Sequence, residues 1–319
     1  MKNAIQPLVP RIPGSKQAHL KLWKSILDAH SYKTMYEPFA GGLTVSNYLL
    51  QRDTLTLETV VCADIDPSLL GLYEAWTTEH LQHQVYGRFH NWQEYPIKDV
   101  LKHLTVTYEQ AWIDYETNTI DAAVAGLLLR YVSFNGKLAP NASSQRLNID
   151  FSNQQLTKWG DFNYTFPLSP NHLYLYDDQK LIPWDLFNSQ PSIAIIDPPY
   201  VGTVGNVKYR DPDFIRPVYF KHQPHARETL TMAFFPVEEA LSNDITVAIA
   251  CNYYSDKLND DYASLAHDYG YRIFNFDGIP PKLNNGGKSQ REPYYRDSYW
   301  VFCNPGDPLV TILSDPDLN

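Results

Sequence analysis

The chain has 319 residues, of which 44% are hydrophobic and 19% are charged. This composition is ordinary for a globular protein of one large domain or two modest ones, and no apolar stretch reaches the roughly 20 residues that cross a membrane. The formal net charge of −10 argues against a uniformly basic surface that coats nucleic acid, although it leaves room for a local basic groove.

Targeting and redox features are few. The N-terminal stretch "MKNAIQPLVPRIPGSK" contains basic residues but no apolar segment, so no signal peptide is expected. The three cysteines, Cys62, Cys251 and Cys303, are far apart and form neither a CxxC pair nor a Cys/His cluster with zinc spacing. These features favour buried thiols in a reducing cytoplasm and give no reason to expect a metal or a membrane.

The first 78 residues alternate between helical and strand patterns. Apolar residues at helical spacing predict a helix over His19–His30, and "KTMYEPFAGG" predicts a short strand that enters a turn of small residues. The following runs predict a helix ("LTVSNYLLQ"), a fully apolar strand ("TVVCADIDP") and another helix ("SLLGLYEAWTT"). Such alternation predicts a parallel sheet in an α/β layer fold.

The pattern changes between residues 79 and 171. There "AWIDYETNTIDAAVAGLLLRYVSF" looks helical, and a stretch rich in Asn, Ser, Gln and Gly follows it. We therefore expect a mainly helical insertion, residues 79–171, in a domain made of residues 1–78 and 172–319. After the insertion, continuous apolar runs predict buried parallel strands at "HLYLY", "SIAIIDPPY", "ITVAIACNYY", "YRIFNFDG" and "SYWVFCN", with a helix near "DDYASLAHDYG".

Two candidate ligand-binding turns follow the first two strands. Gly41 and Gly42 lie where a strand ends and a helix begins, so a ligand could approach the backbone there, although an ordinary tight turn has the same pattern. The second strand ends in Asp64 and Asp66. Asp66 before Pro67 is typical of a helix N-cap. That leaves Asp64, about 20 residues after the glycines, to bind ribose hydroxyls.

The run "SIAIIDPPY" predicts a third site. If "SIAII" is a central parallel strand, Asp197 lies at its carboxyl end, where α/β sheets bind ligands. The fixed φ of Pro198 and Pro199 can present the Pro198 carbonyl outward, beside the Asp197 carboxylate. Two acceptors suit an exocyclic NH2 group, and Tyr200 offers a face for the ring that carries it. The alternative interpretation is a proline-rich strand stop with a capping acid.

Together these motifs resemble a Dam-like, D12 class DNA adenine N6-methyltransferase. "YEPFAGG" resembles the family's "EPFxGxG" loop for S-adenosylmethionine (AdoMet), and "IIDPPY" matches its catalytic tetrapeptide. "RIPGSK", "ADIDPSLLGLYEAW" and "RYVSFNGKLAPNASSQRLNIDFS" resemble its N-terminal AdoMet segment, its ribose-binding strand with the next helix, and its target-recognition stretch. The AdoMet loop precedes the recognition stretch and the tetrapeptide follows it, which is the α-type order.

The resemblance implies a Rossmann-like AdoMet-dependent methyltransferase sheet with a helical target-recognition insertion. It implies direct methyl transfer from AdoMet to N6 of a flipped-out adenine in double-stranded DNA, without a metal. The catalytic residues would be Asp197, Pro198, Pro199 and Tyr200. The cofactor-binding residues would be Lys16, Glu37, Pro38, Phe39, Gly41, Asp64, Asp197 and one of Asp177 and Asp178. Candidate contacts to DNA are Asn135, Lys137, Arg146, Asn148, Lys208, Arg210, Lys221, Lys288 and Arg291.

Three positions depart from the family pattern. Leu43 replaces a usual glycine of the AdoMet loop, so we expect a weakened or reshaped cofactor contact. Ala139 and Ser144 replace a usual Arg and Gly of the recognition stretch, so recognition of GATC is not assumed.

Several functions stay open at this point. The amine could belong to cytosine N4 or to adenine in RNA, and the chain could be a non-catalytic DNA-binding module that retains AdoMet. A small-molecule methyltransferase would leave the insertion without a purpose. A cytoplasmic enzyme encoded by a bacterium or a phage, with or without a cognate restriction endonuclease, fits the resemblance.

Overall fold

The structure is a computed structural model, and it describes most of the sheet and the helices around it. The described residues are 7–9, 12, 32–52, 57–113, 119–133, 136, 138–140, 147–148, 151–187, 189–198, 226–252, 256–279 and 297–314. The helix predicted over His19–His30 lies outside them.

Strands and helices alternate along most of the described chain. The strands are β1 (Thr34–Glu37), β2 (Thr59–Ala63), β3 (Ala139–Pro140), β4 (Leu147–Asn148), β5 (His172–Tyr176), β6 (Ser192–Ile196), β7 (Thr246–Asn252), β8 (Arg272–Ile279) and β9 (Asp297–Cys303). The α-helices are α1 (Thr44–Leu50), α2 (Pro67–Trp76), α3 (Glu79–Gln93), α4 (Ile97–Ile113), α5 (Thr119–Val132), α6 (Asn153–Thr157), α7 (Ala226–Ser242), α8 (Asp256–Asp268) and α9 (Leu309–Leu313).

Seven strands form one sheet in the order β5-β2-β1-β6-β7-β9-β8. The five strands from β5 to β7 pair in parallel, which confirms the predicted α/β fold. From β1 the chain first builds outward through β2 to β5 and then returns to place β6 on the other side of β1. This reversal makes a crevice at the carboxyl ends of β1 and β6, the usual ligand site of such sheets.

One strand differs from the expectation of parallel pairing. β9 runs antiparallel to both β7 and β8, so the sheet is mixed. Parallel pairing of consecutive strands needs a crossover connection, usually a helix. The polar, proline-containing sequence between β8 and β9 has no helical periodicity, and this signal could have predicted the antiparallel pair.

The central strands are buried on both faces, as their continuous apolar sequences predict. Every residue of β1, β2 and β6 is buried. Met35 and Ile193 point to one apolar cluster, whereas Tyr36 and Ala194 point to the other, so side chains alternate between the two faces. Cys62 and Cys303 are buried free thiols, as expected.

The helices that follow β2 pack on α2 and share its apolar cluster. Val85 of α3, Leu104 of α4 and Leu128 of α5 are buried together with Leu72 of α2. Gly126 lets α5 approach α2 closely, because a Cβ there would lie 2.3 Å from the Ser68 Oγ. No helix within the described part of the chain has the length and apolar character needed to span a membrane.

Candidate active site

Three acidic side chains follow the same face of the sheet at the carboxyl ends of β1, β2 and β6. Glu37 is paired with Cys62 in the β1–β2 register, and Met35 with Ile193 in the β1–β6 register. Since side chains alternate along a strand, Glu37 shares a face with Met35. It therefore also shares this face with Cys62 and Ile193. Asp64 lies two residues after Cys62, and Asp197 lies four residues after Ile193. The three acids therefore occupy equivalent positions, by this alternation, at the carboxyl ends of three neighbouring strands beside the crevice.

Glu37 is buried at the start of α1, with 5% of its surface exposed. Its Oε1 accepts a hydrogen bond from the Ser46 backbone N–H at 3.0 Å and another from the Ser46 hydroxyl. The residue before α1, Leu43, makes no capping bond through its side chain, so Glu37 caps this helix from the strand. Burial, with a smaller contribution from the Asp197 charge, raises the pKa of Glu37 to about 7.

Asp64 connects the end of β2 to the glycine loop after β1. Its Oδ2 accepts from the Gly41 backbone N–H at 2.8 Å, and its Oδ1 accepts from the Asp66 backbone N–H at 2.9 Å. The Tyr73 hydroxyl donates to the Gly41 carbonyl from the other side of the loop. Burial, followed by the neighbouring Asp66 charge, raises the pKa of Asp64 to about 6. Lone pairs remain on both oxygens for a ligand hydroxyl.

Leu43 takes a backbone conformation that favours glycine. Its φ is 47° and its ψ is 38°, the left-handed region, which costs a residue with a Cβ about 1–2 kcal/mol. The side chain is completely buried. The leucine therefore strains the backbone and fills the core, and it does not present its side chain on the surface of the loop.

Asp66 is the N-cap of α2, as predicted. Its Oδ1 accepts from the Ser68 N–H at 2.9 Å and from the Ser68 hydroxyl at 2.7 Å, and Pro67 occupies the first helical position. Its Oδ2 accepts from the Tyr108 hydroxyl at 3.0 Å and forms a buried ion pair with Arg130. Sequence reasoning missed both partners. The single charge in the apolar run "AVAGLLLRYV" was the available signal, since a buried arginine requires an acid.

The end of β5 lies beside Asp64, because the Tyr176 carbonyl accepts from the Asp64 N–H at 3.2 Å. Asp177 and Asp178 follow, and both are exposed. The Asp178 carboxylate accepts from the Lys180 N–H at 2.9 Å and so caps a 3-10 turn over Gln179–Leu181. Asp178 has a structural task, whereas Asp177 makes no such cap.

Asp197 and Pro198 follow β6 directly and are half-buried at the crevice. Asp197 and Glu37 lie at the carboxyl ends of the neighbouring strands β6 and β1, and the Asp197 charge contributes, after burial, to the raised pKa of Glu37. Pro38 is buried after β1, and Phe39 is half-buried against the second apolar cluster.

The family comparison decides between the open functions. Residues 13–211 match the D12 class N6 adenine-specific DNA methyltransferase family, and this range includes the glycine loop, residues 79–171 and Asp197. The chain belongs to this family. No curated protein matches the chain. The expected fold, the adenine-specific DNA methyltransferase activity and the use of AdoMet are thereby confirmed, and DNA is the substrate.

The described residues of this methyltransferase suit AdoMet chemically. AdoMet has a sulfonium, an ammonium and ribose hydroxyls, which call for negative charge and hydrogen-bond acceptors. Glu37, Asp64 and Asp197 supply both at one edge of the sheet. Within the described part of the chain, Glu37 has no ion-pair partner, so a cationic ligand would balance its charge when it is ionised. Gly41, with a φ of 50°, has no side chain to obstruct such a ligand.

Many predicted site residues of the methyltransferase lie outside the described residues. Asn148 is in β4, opposite Ala139 of β3, in a two-stranded ladder. The predicted site residues outside the described part of the chain are Lys16, Asn135, Lys137, Arg146, Pro199, Tyr200, Lys208, Arg210, Lys221, Lys288 and Arg291.

Proposed function

We propose that this methyltransferase modifies adenine within one short sequence of duplex DNA and that Asp197 and Pro198 bind the reacting amine. The supporting observation is the position of Asp197. It follows the central strand β6 at the point where the strand order reverses. The strand that ends in Glu37 is the neighbour of β6 in the sheet, and the strand that precedes Asp64 is the next one along. Substrate and cofactor groups would thus meet at one crevice.

The proposed chemistry depends on hydrogen bonding to N6. The nitrogen lone pair of adenine is delocalised into the ring, which makes the amine a weak nucleophile. The Asp197 carboxylate and the Pro198 carbonyl would each accept a hydrogen bond from one N–H of this amine. These bonds would localise the lone pair on nitrogen. Tyr200 would stack on the adenine after it leaves the duplex. When bound, AdoMet supplies an activated methyl group on its sulfur, and the chain positions the amine against it. The methylated nitrogen then gives up one of its two protons, which would pass to water.

The proposed cofactor contacts come from the loops after β1, β2 and β5. Asp64 would bind the ribose hydroxyls, and Gly41 would allow close approach to the loop. Asp177 is a better candidate than Asp178 for the contact after β5, since the carboxylate of Asp178 already caps a turn. Lys16, Glu37, Pro38, Phe39 and Asp197 complete the proposed set.

Residues 79–171 would form the target-recognition insertion, with residues 1–78 and 172–319 as the catalytic domain. The acidic total charge means that phosphate contacts must be local. The proposed contacts are Asn135, Lys137, Arg146, Asn148, Lys208, Arg210, Lys221, Lys288 and Arg291. We place the enzyme in the cytoplasm of a bacterium or of a phage-infected cell. A cognate restriction endonuclease would be its partner if the methylated sequence resists cleavage in that cell.

The test uses purified protein, AdoMet with a labelled methyl group, and duplex DNA digested to nucleosides afterwards. We expect label in N6-methyldeoxyadenosine alone, and none after Asp197→Ala. Label in N4-methyldeoxycytidine, or equal labelling of N6-methyldeoxyadenosine by the Asp197→Ala protein, would contradict the proposal. RNA of the same sequence serves as the matched substrate control.

A further inference from the structure

A continuous series of hydrogen bonds joins helix α5 to the glycine loop. Arg130 donates to Oδ2 of Asp66, which also accepts from the Tyr108 hydroxyl at 3.0 Å. The Asp66 N–H donates to Asp64, and the other oxygen of Asp64 accepts from Gly41. Together these hydrogen bonds connect Arg130 to the candidate ribose-binding carboxylate of Asp64, which lies 66 positions earlier in the sequence.

Negative side chains outnumber positive ones along this series of hydrogen bonds. Asp64 and Asp66 are two acids separated by one residue, of which Asp66 is buried and Asp64 is half-buried. In the described part of the chain, the other titratable groups that interact with Asp64 are Tyr73, Cys62 and Arg130. Burial and the Asp66 charge raise the pKa of Asp64, and the backbone N–H groups of Asp66 and Gly41 lower it. The charge of Arg130 also lowers it, and Arg130 is the base among the described residues that does so. Without Arg130, the two carboxylates would repel each other in a site of low dielectric constant.

The guanidinium is also held firmly in place. Arg130 is 5% exposed, and its second nitrogen donates to the Ser68 hydroxyl at 2.9 Å. Gly126, one turn earlier in α5, brings the helix within close packing distance of Ser68. Helix α5 ends at Val132, just before the stretch that contains the proposed DNA contacts Asn135 and Lys137.

We propose that Arg130 is a positioning residue for cofactor binding. It holds Asp66 in place through the buried ion pair, so that the Asp66 N–H orients Asp64, and its positive charge helps Asp64 to stay ionised at neutral pH. The helix that leads into the recognition stretch therefore also sets the ribose-binding carboxylate. This inference rests on the proposed role of Asp64 in binding AdoMet.

The test measures binding of S-adenosylhomocysteine (AdoHcy) by calorimetry between about pH 5 and pH 9, a range that spans the titration of a raised carboxyl. In the unmodified protein, we expect affinity to fall as the pH drops through about 6, the pKa of Asp64. Arg130→Gln should move this fall to higher pH and weaken binding at neutral pH by roughly tenfold. Arg130→Lys should return the fall toward its original pH, because it restores the charge.

Tyr108→Phe is the matched control, since it removes a hydrogen bond to the same Asp66 oxygen without a change of charge. We expect it to leave the pH of the fall in place. The double variant Arg130→Gln/Asp66→Asn removes both the base and the acid, so the fall should return toward about pH 6. It also keeps the test possible if Arg130→Gln alone does not fold.

Asp64→Asn separates this inference from the proposed function. If Asp64→Asn binds AdoHcy like the unmodified protein, the role of Asp64 is wrong. If Asp64→Asn weakens binding while Arg130→Gln shifts neither affinity nor its pH dependence, the inference about Arg130 alone is overturned. A shift of equal size in Tyr108→Phe would also overturn it, since the effect would then be one of packing and not of charge.

Discussion

The crevice contains two pairs of acids that are stabilised in different ways. At the end of β2, Asp64 and Asp66 are joined by a backbone hydrogen bond, and Asp66 is neutralised by Arg130. Glu37 and Asp197 lie at the ends of the neighbouring strands β1 and β6, and among the described residues Ser46 holds the Glu37 carboxylate through two uncharged hydrogen bonds. The first pair brings its own base from α5. For Glu37 of the second pair, the described part of the chain provides none.

This difference indicates that the two pairs of acids have different roles in ligand binding. A carboxylate that is paired with a buried base is fixed in charge and position before any ligand arrives. A buried carboxyl without a base becomes more acidic when a cation binds beside it. We therefore interpret the β2 pair as a preformed support and the Glu37 side as a place where a cationic ligand completes the charge balance.

The largest expected effect concerns Asp197. Asp197→Asn removes one charged acceptor for the amine, so methyl transfer in a single turnover should slow by about 10²- to 10³-fold. AdoHcy affinity should change much less, because Asp64 and the glycine loop remain. Rapid quench with labelled AdoMet measures the rate, and calorimetry measures the affinity. A rate within a few-fold of the unmodified enzyme would contradict the assignment.

Glu37→Gln tests the side of the crevice where the described residues give Glu37 no base. The pKa of Glu37 is raised from 4.5 to about 7, so the folded protein holds this proton more tightly than the unfolded chain does. The free energy of unfolding therefore falls as the pH rises from 4.5 through about 7, and the uncharged amide of the variant avoids this loss. Urea unfolding without ligand should show the variant gaining about 2–3 kcal/mol over the unmodified protein between about pH 5 and pH 8. An equal difference at both pH values would show that Glu37 does not titrate there.

Asp64→Asn tests the preformed side. One oxygen becomes an NH2 group, which cannot accept from Gly41 or Asp66 and no longer offers a charge to ribose hydroxyls. AdoHcy should bind roughly tenfold more weakly at neutral pH, and its affinity should no longer fall as the pH drops. Asp268→Asn, the same change at the exposed end of α8, is the control and should bind AdoHcy normally. Retention of the acid dependence in Asp64→Asn would assign that titration to another group.

The smallest expected effect concerns the loop between the two pairs. Leu43→Ala and Leu43→Gly both lose a buried side chain, but only glycine relieves the left-handed conformation. The glycine variant should therefore unfold with a free energy about 1 kcal/mol higher than that of the alanine variant. Chemical denaturation of the two proteins in parallel measures this difference. In an ordinary helical position the order is the reverse, so a more stable alanine variant would argue against strain at Leu43.

Local signals were sufficient to predict much of the fold and part of the site. The apolar runs predicted every strand of the large sheet, and Asp66 before Pro67 predicted the cap of α2. The partners of these acids could not be predicted, because Arg130 and Ser46 meet Asp66 and Glu37 only after the chain folds. Helix α7 was missed as well, since Pro236 inside its sequence argues against a helix.

The most direct test of the central claim is single-molecule sequencing of DNA from a methylation-free bacterium that expresses this chain, beside the Asp197→Ala variant. We predict N6-methyladenine at one short sequence motif, absent with the variant. If every adenine in this DNA is unmodified although the purified protein binds AdoHcy, the claim that Asp197 and the carboxylates beside it form a working methyltransferase site is contradicted.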